Sequence, residues 1–315
     1  MPITVSQALM GLAGGVVSAL LFAAILGGGA LGAPLLLLSP LPIVIVSLGW
    51  GSLSGVIAAV AAAAIVGGMT APQLGFGFLL LSAGPAAWYG HLLGLARPRE
   101  DGGALEWYPL SRVLASMVAI TAATLVIAGW LIGLDVDEMS ASIVDTIRAM
   151  APGETDPLPE RELMIETTRV YVRIMPVTTA MLWLSVMGFN IWLAAKVVKV
   201  SGRLQRPWED IANAVALPAS FVPVFAAAAL AAFSDSPLGL AAGSVTGAIG
   251  MGFALQGLAV VHVLTRPMAI RPMLLGLLYA FTFAFSLPLL VLALAGMIDA
   301  VKDFRQGSRP RAAGG

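Results

Sequence analysis

The stretch at residues 31–55, LGAPLLLLSPLPIVIVSLGWGSLSG, constrains the fold of this chain most strongly. It is apolar enough to cross a lipid bilayer, where every backbone amide and carbonyl group must find a partner within the protein. Pro34, Pro40 and Pro42 interrupt it, and a proline inside a helix removes a backbone hydrogen bond. We therefore predict a broken membrane span, in which the break serves either helix packing or the binding of a solute.

Similar apolar runs recur along nearly the whole chain. Hydrophobic residues make up 59% of its 315 residues and charged residues 11%, whereas soluble domains carry roughly 25% charged residues. The runs are continuously apolar and do not alternate, which argues against a β-barrel. The prediction is an all-α, polytopic helical membrane protein with about nine hydrophobic segments, or ten if the last run divides at Pro288. These segments are predicted at about 8–26, 31–55, 53–66, 74–95, 110–134, 170–195, 211–233, 238–264 and 273–297.

A single integral membrane domain is predicted over residues 1–305, followed by a disordered tail at 306–315. The only long hydrophilic part is an extracytoplasmic segment at 134–170. Residues 135–169 carry nine acidic and three basic side chains, a net charge of −6. Apolar residues recur there at helical spacing, which indicates an amphipathic helix at the membrane interface; these are Val136, Met139, Ile143, Val144, Ile147 and Met150.

Basic residues cluster in the connections at 97–112, 196–206 and 266–271, and cytoplasmic loops are enriched in Lys and Arg. This pattern predicts a cytoplasmic N-terminus and places the acidic segment on the opposite side. Nine uninterrupted spans would leave the basic C-terminal tail outside. A division of the last run at Pro288 into two short helices would instead return the tail to the cytoplasm.

The charged residues all fall in or beside the predicted loops, which argues against a self-contained proton-driven carrier. The chain has no cysteine, two histidines and no P-loop, and no Ser–His–Asp set is convincing. We therefore predict no catalytic residue, no metal site, no cofactor and no nucleic-acid partner. The protein is not expected to be an enzyme.

Broken helices expose backbone groups that can hold a solute. The breaks at Pro40, Pro42 and Pro288 are the main candidates for such a site. Polar and aromatic residues that could converge with them are Ser39, Ser47, Trp50, Asn190, Gln256, Tyr279 and Ser286. The alternative for each residue is a helix kink or a hydrogen bond between helices, so the hypothesis depends on whether Pro40 and Pro288 meet in space.

Small residues at four-residue spacing give two helices a face that lets another backbone approach closely. In the first span these are Gly11, Gly15, Ala19 and Ala23, and the face serves either internal packing or the docking of another subunit. In the eighth span Gly239, Gly243 and Gly247 form the strongest such face.

The chain resembles the bacterial YybS-like predicted membrane proteins, also known as domain of unknown function 2232. The resemblance is carried by the small-residue first span, SPLPIVIVSLGWG, LLLSAGPAAWYG and the closing AGMIDAVKDFR, which includes Gly296, Asp299, Phe304 and Arg305. It implies a multi-pass protein of the bacterial inner (cytoplasmic) membrane.

That family is in turn distantly similar to the S components of energy-coupling-factor transporters, which bind vitamins or metals. This similarity implies that the first span could dock a coupling subunit, with an ATPase supplied in trans. The chain departs from S components in having more than their usual six spans and a long acidic segment.

Two functions follow from these observations. The first is the binding of a small solute or lipid in transport, with a separate energising partner. The alternative is a non-transporting membrane scaffold for envelope assembly or cell division.

Overall fold

The computed structural model describes residues 4–99, 103–150 and 159–305, and the chain within these ranges is almost entirely helical. A 3-10 turn, Ala24–Gly27, extends the first helix, and a π-helical turn, Leu79–Ala83, joins the fifth to the sixth. Strands β1 (Ala96–Arg97) and β2 (Glu106–Trp107) form a short antiparallel pair. The helices are α1 (Val5–Ala23), α2 (Gly32–Leu37), α3 (Leu41–Trp50), α4 (Ser52–Met69), α5 (Pro72–Phe78), α6 (Gly84–Gly94), α7 (Leu110–Leu131), α8 (Val136–Met150), α9 (Arg161–Val200), α10 (Ile211–Ala214), α11 (Phe221–Ala231), α12 (Pro237–Leu264), α13 (Arg271–Ala284) and α14 (Leu287–Lys302). The predicted disordered tail at 306–315 lies outside the described residues.

Within these ranges six helical segments are long and apolar enough to cross a membrane, and the bent pair α13 and α14 makes a seventh if the two helices form one broken span instead of a re-entrant loop. The predicted all-α, polytopic membrane fold is confirmed, but the predicted number of about nine segments is higher than this count. Two predicted segments are interrupted. The run at 74–95 is divided among α5, the π turn and α6, and the run at 211–233 contains only the 11-residue α11 as a helix of more than one turn.

The predicted break at the prolines of residues 31–55 is present between α2 and α3. The carbonyl groups that the break frees are bound by side chains from other helices. Asn190 Nδ2 donates to the Leu37 carbonyl at 2.9 Å, and Ser18 Oγ donates to the Ser39 carbonyl at 2.6 Å. The break is therefore held by its neighbours in the fold, as hydrocarbon surroundings require.

Helix α1 packs closely on α4 through the small-residue face predicted from the sequence. A Cβ atom at Gly11 would lie 2.8 Å from Ile57 Cβ, and one at Gly15 would lie 2.8 Å from the Ala58 carbonyl oxygen. Ala19 is buried and Ala23 is half-buried. The prediction that Gly11, Gly15, Ala19 and Ala23 dock another subunit is corrected here, because α4 already covers this face inside the chain.

The helices α1, α3, α4 and α6 share one hydrophobic core. A second core forms where α7, α9 and α14 pack around α12. The predicted glycine face of α12 lies against α9, and a Cβ at Gly247 would collide with the Val177 carbonyl oxygen at 2.2 Å. Further along α12, Gly257 contacts the backbone of α14 at Leu292 and Gly296. Glycine at these positions allows backbones to approach more closely than any side chain would permit.

The acidic segment forms a helical hairpin with an extension of α9. Helix α9 has 40 residues, about 60 Å at 1.5 Å per residue, so it is longer than the roughly 30 Å hydrocarbon core. Arg161 binds Asp145 at 2.8 Å and Arg169 binds Asp137 at 2.7 Å, which aligns α8 antiparallel to α9. Hydrogen bonding from Arg161 lowers the pKa of the Asp145 carboxyl below its ordinary value.

The predicted amphipathic helix is thus α8, and its buried residue Val144 faces the protein. Helix α8 packs on the extension of α9, and its position at the membrane interface stays a prediction. The final apolar run bends by 118° between α13 and α14. The break falls at Phe285 and Ser286, and Pro288 occupies the first turn of α14, where a proline is tolerated.

Candidate functional site

The residues predicted to bind a solute do not converge on one place. Ser39, Pro40, Pro42, Ser47 and Asn190 are buried where α3 meets α1, α4, α6 and α9. The Oγ atoms of Ser39 and Ser47 have no hydrogen-bond partner among the described residues. Ser47 touches the backbone positions of Gly55 and Gly90 so closely that no space for a ligand remains beside it.

The other predicted site residues lie elsewhere. Trp50 ends α3, with the Arg203 guanidinium 4.4 Å from its ring centroid. Ser286 and Pro288 stand at the bend before α14, which packs on α12 and α13, so Pro40 and Pro288 belong to different clusters. Gln256 is buried in α12, and only Tyr279 lines a large cavity. The expected convergence is corrected, because each broken span is packed against different neighbours.

A cavity of about 670 Å³ lies between α7, α9, α12 and the segment at 204–215, which contains the one-turn helix α10, and we call it the central cavity. Its volume is in the range of small-molecule sites. Most of its lining is apolar, with Leu114, Met117, Leu255 and Leu258 among the side chains. The cavity is therefore suited to hydrocarbon.

Small residues keep this space open. Gly188, in the middle of α9, faces the cavity, and a Cβ added there would meet only Met117 Cε at 3.8 Å. Three further short side chains of the lining are Ala195, also on α9, Ala212 on α10 and Ala259 on α12. Since these residues come from parts of the chain distant in sequence, the space arises only when the helices assemble.

Two partly exposed tryptophans of the lining, Trp192 and Trp208, have Lys196 and Lys199 over their rings, and we call these four residues the mouth of the central cavity. Both tryptophans line the cavity. Lys196 Nζ lies 5.6 Å from each tryptophan ring centroid, and Lys199 Nζ lies 4.5 Å from that of Trp208. Cations at these distances from an aromatic face are attracted by it.

Ion pairs hold the segment at 204–215 in place. Arg206 is buried and binds Glu209 at 2.6 Å. Asp210 accepts two hydrogen bonds from Arg266 at 2.7 Å, and this contact lowers the pKa of the Asp210 carboxyl below its ordinary value. Asp210 therefore stays ionised at neutral pH, and the segment remains attached to the connection after α12.

A buried polar cluster beneath the cavity joins Gln256, Asp299 and Arg305. Arg305 Nη2 binds Asp299 at 2.7 Å, and both side chains are completely buried. Gln256 Nε2 donates to Asp299 at 2.7 Å, and Gln256 Oε1 accepts the Leu217 amide at 2.7 Å. Arg305 Nη1 donates to the carbonyl groups of Ala212 and Val215 at 2.6 and 2.8 Å. Here we call this the Arg305 cluster.

The Arg305 cluster corrects the interpretation that charged residues stay in or beside loops. Asp299 lies within α14 and its carboxylate is fully buried, because Arg305 and Gln256 satisfy it there. A buried charge with such partners is tolerated, whereas an isolated one is not. The cluster binds the backbone of the short helix α10 and of the residues just after it, at Ala212, Val215 and Leu217.

A second cavity of about 550 Å³ lies at the opposite ends of α9 and α12. Its charged residues are satisfied within the protein. Arg173 binds Asp235 at 2.9 Å, Asp137 binds Arg169, and Asp135 accepts the backbone amides of Asp137 and Glu138. The central cavity is the stronger candidate because its lysines have no such carboxylate partners among the described residues.

The fold and the central cavity together define a multi-pass helical membrane protein with a partly open, mostly apolar cavity among its helices. The sequence profile of the predicted membrane proteins designated DUF2232 matches residues 16–300, and the chain belongs to that family. No curated protein and no solved structure matches the chain. The more distant similarity to S components therefore stays a prediction.

Sequence reasoning missed most of this site. Of the residues predicted to bind a solute, Tyr279 lines the central cavity, where its hydroxyl is 2.7 Å from His262 Nε2. The one signal that could have indicated the mouth is the spacing of Trp192, Lys196 and Lys199, which places aromatic and basic residues on one face of α9.

Proposed function

We propose that this protein binds an amphipathic molecule, a lipid or a lipid-like solute, whose apolar part occupies the central cavity. The observation that carries the proposal is a cavity of about 670 Å³ with apolar walls and a polar, basic mouth. The proposal places the protein in a bacterial inner membrane with its basic connections in the cytoplasm, as the distribution of Lys and Arg predicts.

We further propose that any transport of this molecule uses a separate energising partner. The only ion pair of the described residues in which both side chains are completely buried is that of Asp299 and Arg305, and both members already have hydrogen-bond partners within the protein. Because the lining of the central cavity is mostly apolar, we propose a binding protein and not an enzyme.

The test uses a lipid that carries a photoactivatable diazirine in its acyl chain, in vesicles with the purified protein. We expect adducts on the cavity residues Leu114, Met117 and Leu255. Gly188→Phe should remove these adducts by filling the cavity, because space for a larger side chain is present at this position. Gly276→Phe is the matched control, since no atom lies within 4 Å of a Cβ added there.

Adducts confined to outward-facing residues, with the same yield in Gly188→Phe and Gly276→Phe, would show that the cavity is not a binding site. The scaffold function would then be the better proposal. One observation favours it: the hairpin of α8 and α9 exposes large apolar side chains, with Met150 81% and Tyr171 72% exposed. Recovery of envelope-assembly or division proteins by affinity purification of the full chain from membranes would support that function.

A further inference from the structure

The head group of the ligand can be inferred from the charges at the mouth of the central cavity. We propose that the bound amphiphile is a membrane lipid with an anionic head group, phosphate or carboxylate, and that Lys196 and Lys199 bind that group. This inference rests on the proposed binding of an amphiphile in the central cavity.

The ammonium groups of Lys196 and Lys199 lie beside the lining of the central cavity. Lys196 and Lys199 are one helical turn apart on α9, and both reach over tryptophan rings that belong to the cavity lining. The rings hold each cation at the boundary between the apolar space and the exterior. A molecule whose chain occupies the cavity would have its head group at this boundary.

Lys196 and Lys199 have no anionic partner within the described part of the chain. Among the described residues, no carboxylate forms an ion pair with either lysine, although two acidic residues lie in the adjoining segment. Glu209 binds Arg206 and Asp210 binds Arg266, each at 2.7 Å or less. The local acids are therefore engaged by arginines, and the two lysine charges are available to an anion from outside the chain.

The chemistry of the two ammonium groups matches that of an anionic lipid head group. An ammonium group is a compact charge with three hydrogen-bond donors, and the tryptophan face contacts only one side of it. The remaining donors can bind phosphate or carboxylate oxygens. Tryptophans are enriched at membrane interfaces, at the depth of lipid head groups. An anionic lipid meets all three conditions, whereas a neutral lipid leaves both charges unused.

The test is native mass spectrometry of the purified full chain with two lipids of identical dioleoyl chains, phosphatidylglycerol and phosphatidylcholine. A lysine near the head groups changes affinity for an anionic lipid by about fivefold, so we expect phosphatidylglycerol to bind at least about fivefold more tightly. Lys196→Gln and Lys199→Gln should each reduce this preference markedly. Lys199→Arg keeps the charge and should retain it.

Lys302→Gln is the matched control, because Lys302 is exposed as Lys196 and Lys199 are but lies on α14, away from the two lining tryptophans over which those lysines lie. It should leave the preference unchanged. Soluble glycerol phosphate at the same concentration should not displace the lipid, because it lacks the apolar part. Full displacement by glycerol phosphate would overturn the inference, since the anion alone would then be the ligand.

Two further outcomes separate this inference from the proposed function. Equal binding of both lipids, lost in Gly188→Phe, would overturn the anionic head group but support the cavity. Binding that Gly188→Phe leaves unchanged would overturn both. A preference for phosphatidylglycerol that Lys302→Gln reduces as much as Lys199→Gln would show a general effect of charge and would also contradict the inference.

Discussion

Arg305 shows how the role of a single residue depends on its partners. Its guanidinium group is completely buried and donates hydrogen bonds to Asp299 and to two backbone carbonyl groups of the segment before α11. In the sequence it reads as one of several basic residues after the last apolar run. In the fold it connects α14 to the irregular segment at 211–220, and through Asp299 and Gln256 to α12.

Loss of the Arg305 cation should therefore be costly. Arg305→Met leaves the Asp299 carboxylate buried without its counter-charge, which is expected to lower the free energy of unfolding by about 3–5 kcal/mol. Adding Asp299→Asn to Arg305→Met should restore part of this loss, because the unpaired charge is then removed. The four proteins to compare are the unmodified chain, Arg305→Met, Asp299→Asn and the double variant. Their thermal unfolding, followed by tryptophan fluorescence in detergent micelles, measures the coupling energy between Asp299 and Arg305.

Arg97→Met is the control for that cycle. Arg97 also forms an ion pair, with Glu106, but 77% of the arginine side chain and 51% of the glutamate side chain are exposed. Exposed pairs contribute little, so no measurable change is expected. Equal losses for Arg97→Met and Arg305→Met would mean that the Arg305 cluster has no special structural importance.

At the crossing of α12 and α14 there is no room for a side chain larger than that of glycine. A Cβ atom at Gly257 would lie 1.8 Å from the Leu292 carbonyl oxygen, and one at Gly296 would lie 2.0 Å from that of Phe253. Since both obstacles are backbone atoms, no side-chain rotation can relieve the collision. The two helices must move apart to accept any larger residue.

Gly257→Ala should consequently destabilise the protein by about 1–3 kcal/mol, as forced overpacking usually does. Gly276→Ala in α13 adds the same methyl group where no atom lies within 4 Å, and should be neutral or slightly stabilising because alanine favours helix. Thermal melting of the two variants gives the comparison. A Gly257→Ala protein that melts with or above Gly276→Ala would refute the close contact between these helices.

At the scale of the whole molecule, the sequence predicted what depends on local composition. The apolar runs indicated the membrane class and the breaks at Pro40 and Pro288, because length and hydropathy are properties of each segment alone. The central cavity could not be predicted in this way. Gly188 and Ala259 leave a space only because α7 and the segment at 204–215 happen to face them, and no local pattern records that arrangement.

The hydrogen-bond partners of the polar residues could not be predicted from the sequence either. Asn190 and Gln256 were singled out as polar groups that could bind a solute, with a hydrogen bond between helices as the alternative, and they bind the Leu37 carbonyl and Asp299. Which acceptor an amide meets depends on the crossing of helices that are 43 to 153 residues apart in sequence. The hydrogen-bonding need was predictable from the residue type, whereas its satisfaction was a property of the assembled fold.

Membrane orientation can be tested directly because the chain contains no cysteine. Ser142→Cys lies on the exposed part of α8 and Ser201→Cys follows α9, so the two report on opposite ends of that helix. We expect a membrane-impermeant maleimide to label Ser142→Cys in intact spheroplasts and Ser201→Cys only in inside-out vesicles. Lys302→Cys should behave as Ser201→Cys does if the bend before α14 returns the chain to the cytoplasm. Labelling of the first two from the same side would rule out the predicted topology.

The distance along the chain between Arg305 and the carbonyl groups it binds has a consequence for biosynthesis. Val215 leaves the ribosome 90 residues before Arg305, an interval of roughly 4–18 s at about 5–20 residues per second. During that time the carbonyl groups of Ala212 and Val215 lack the guanidinium group that binds them in the fold. These two hydrogen bonds can therefore form only after α14 has been synthesised.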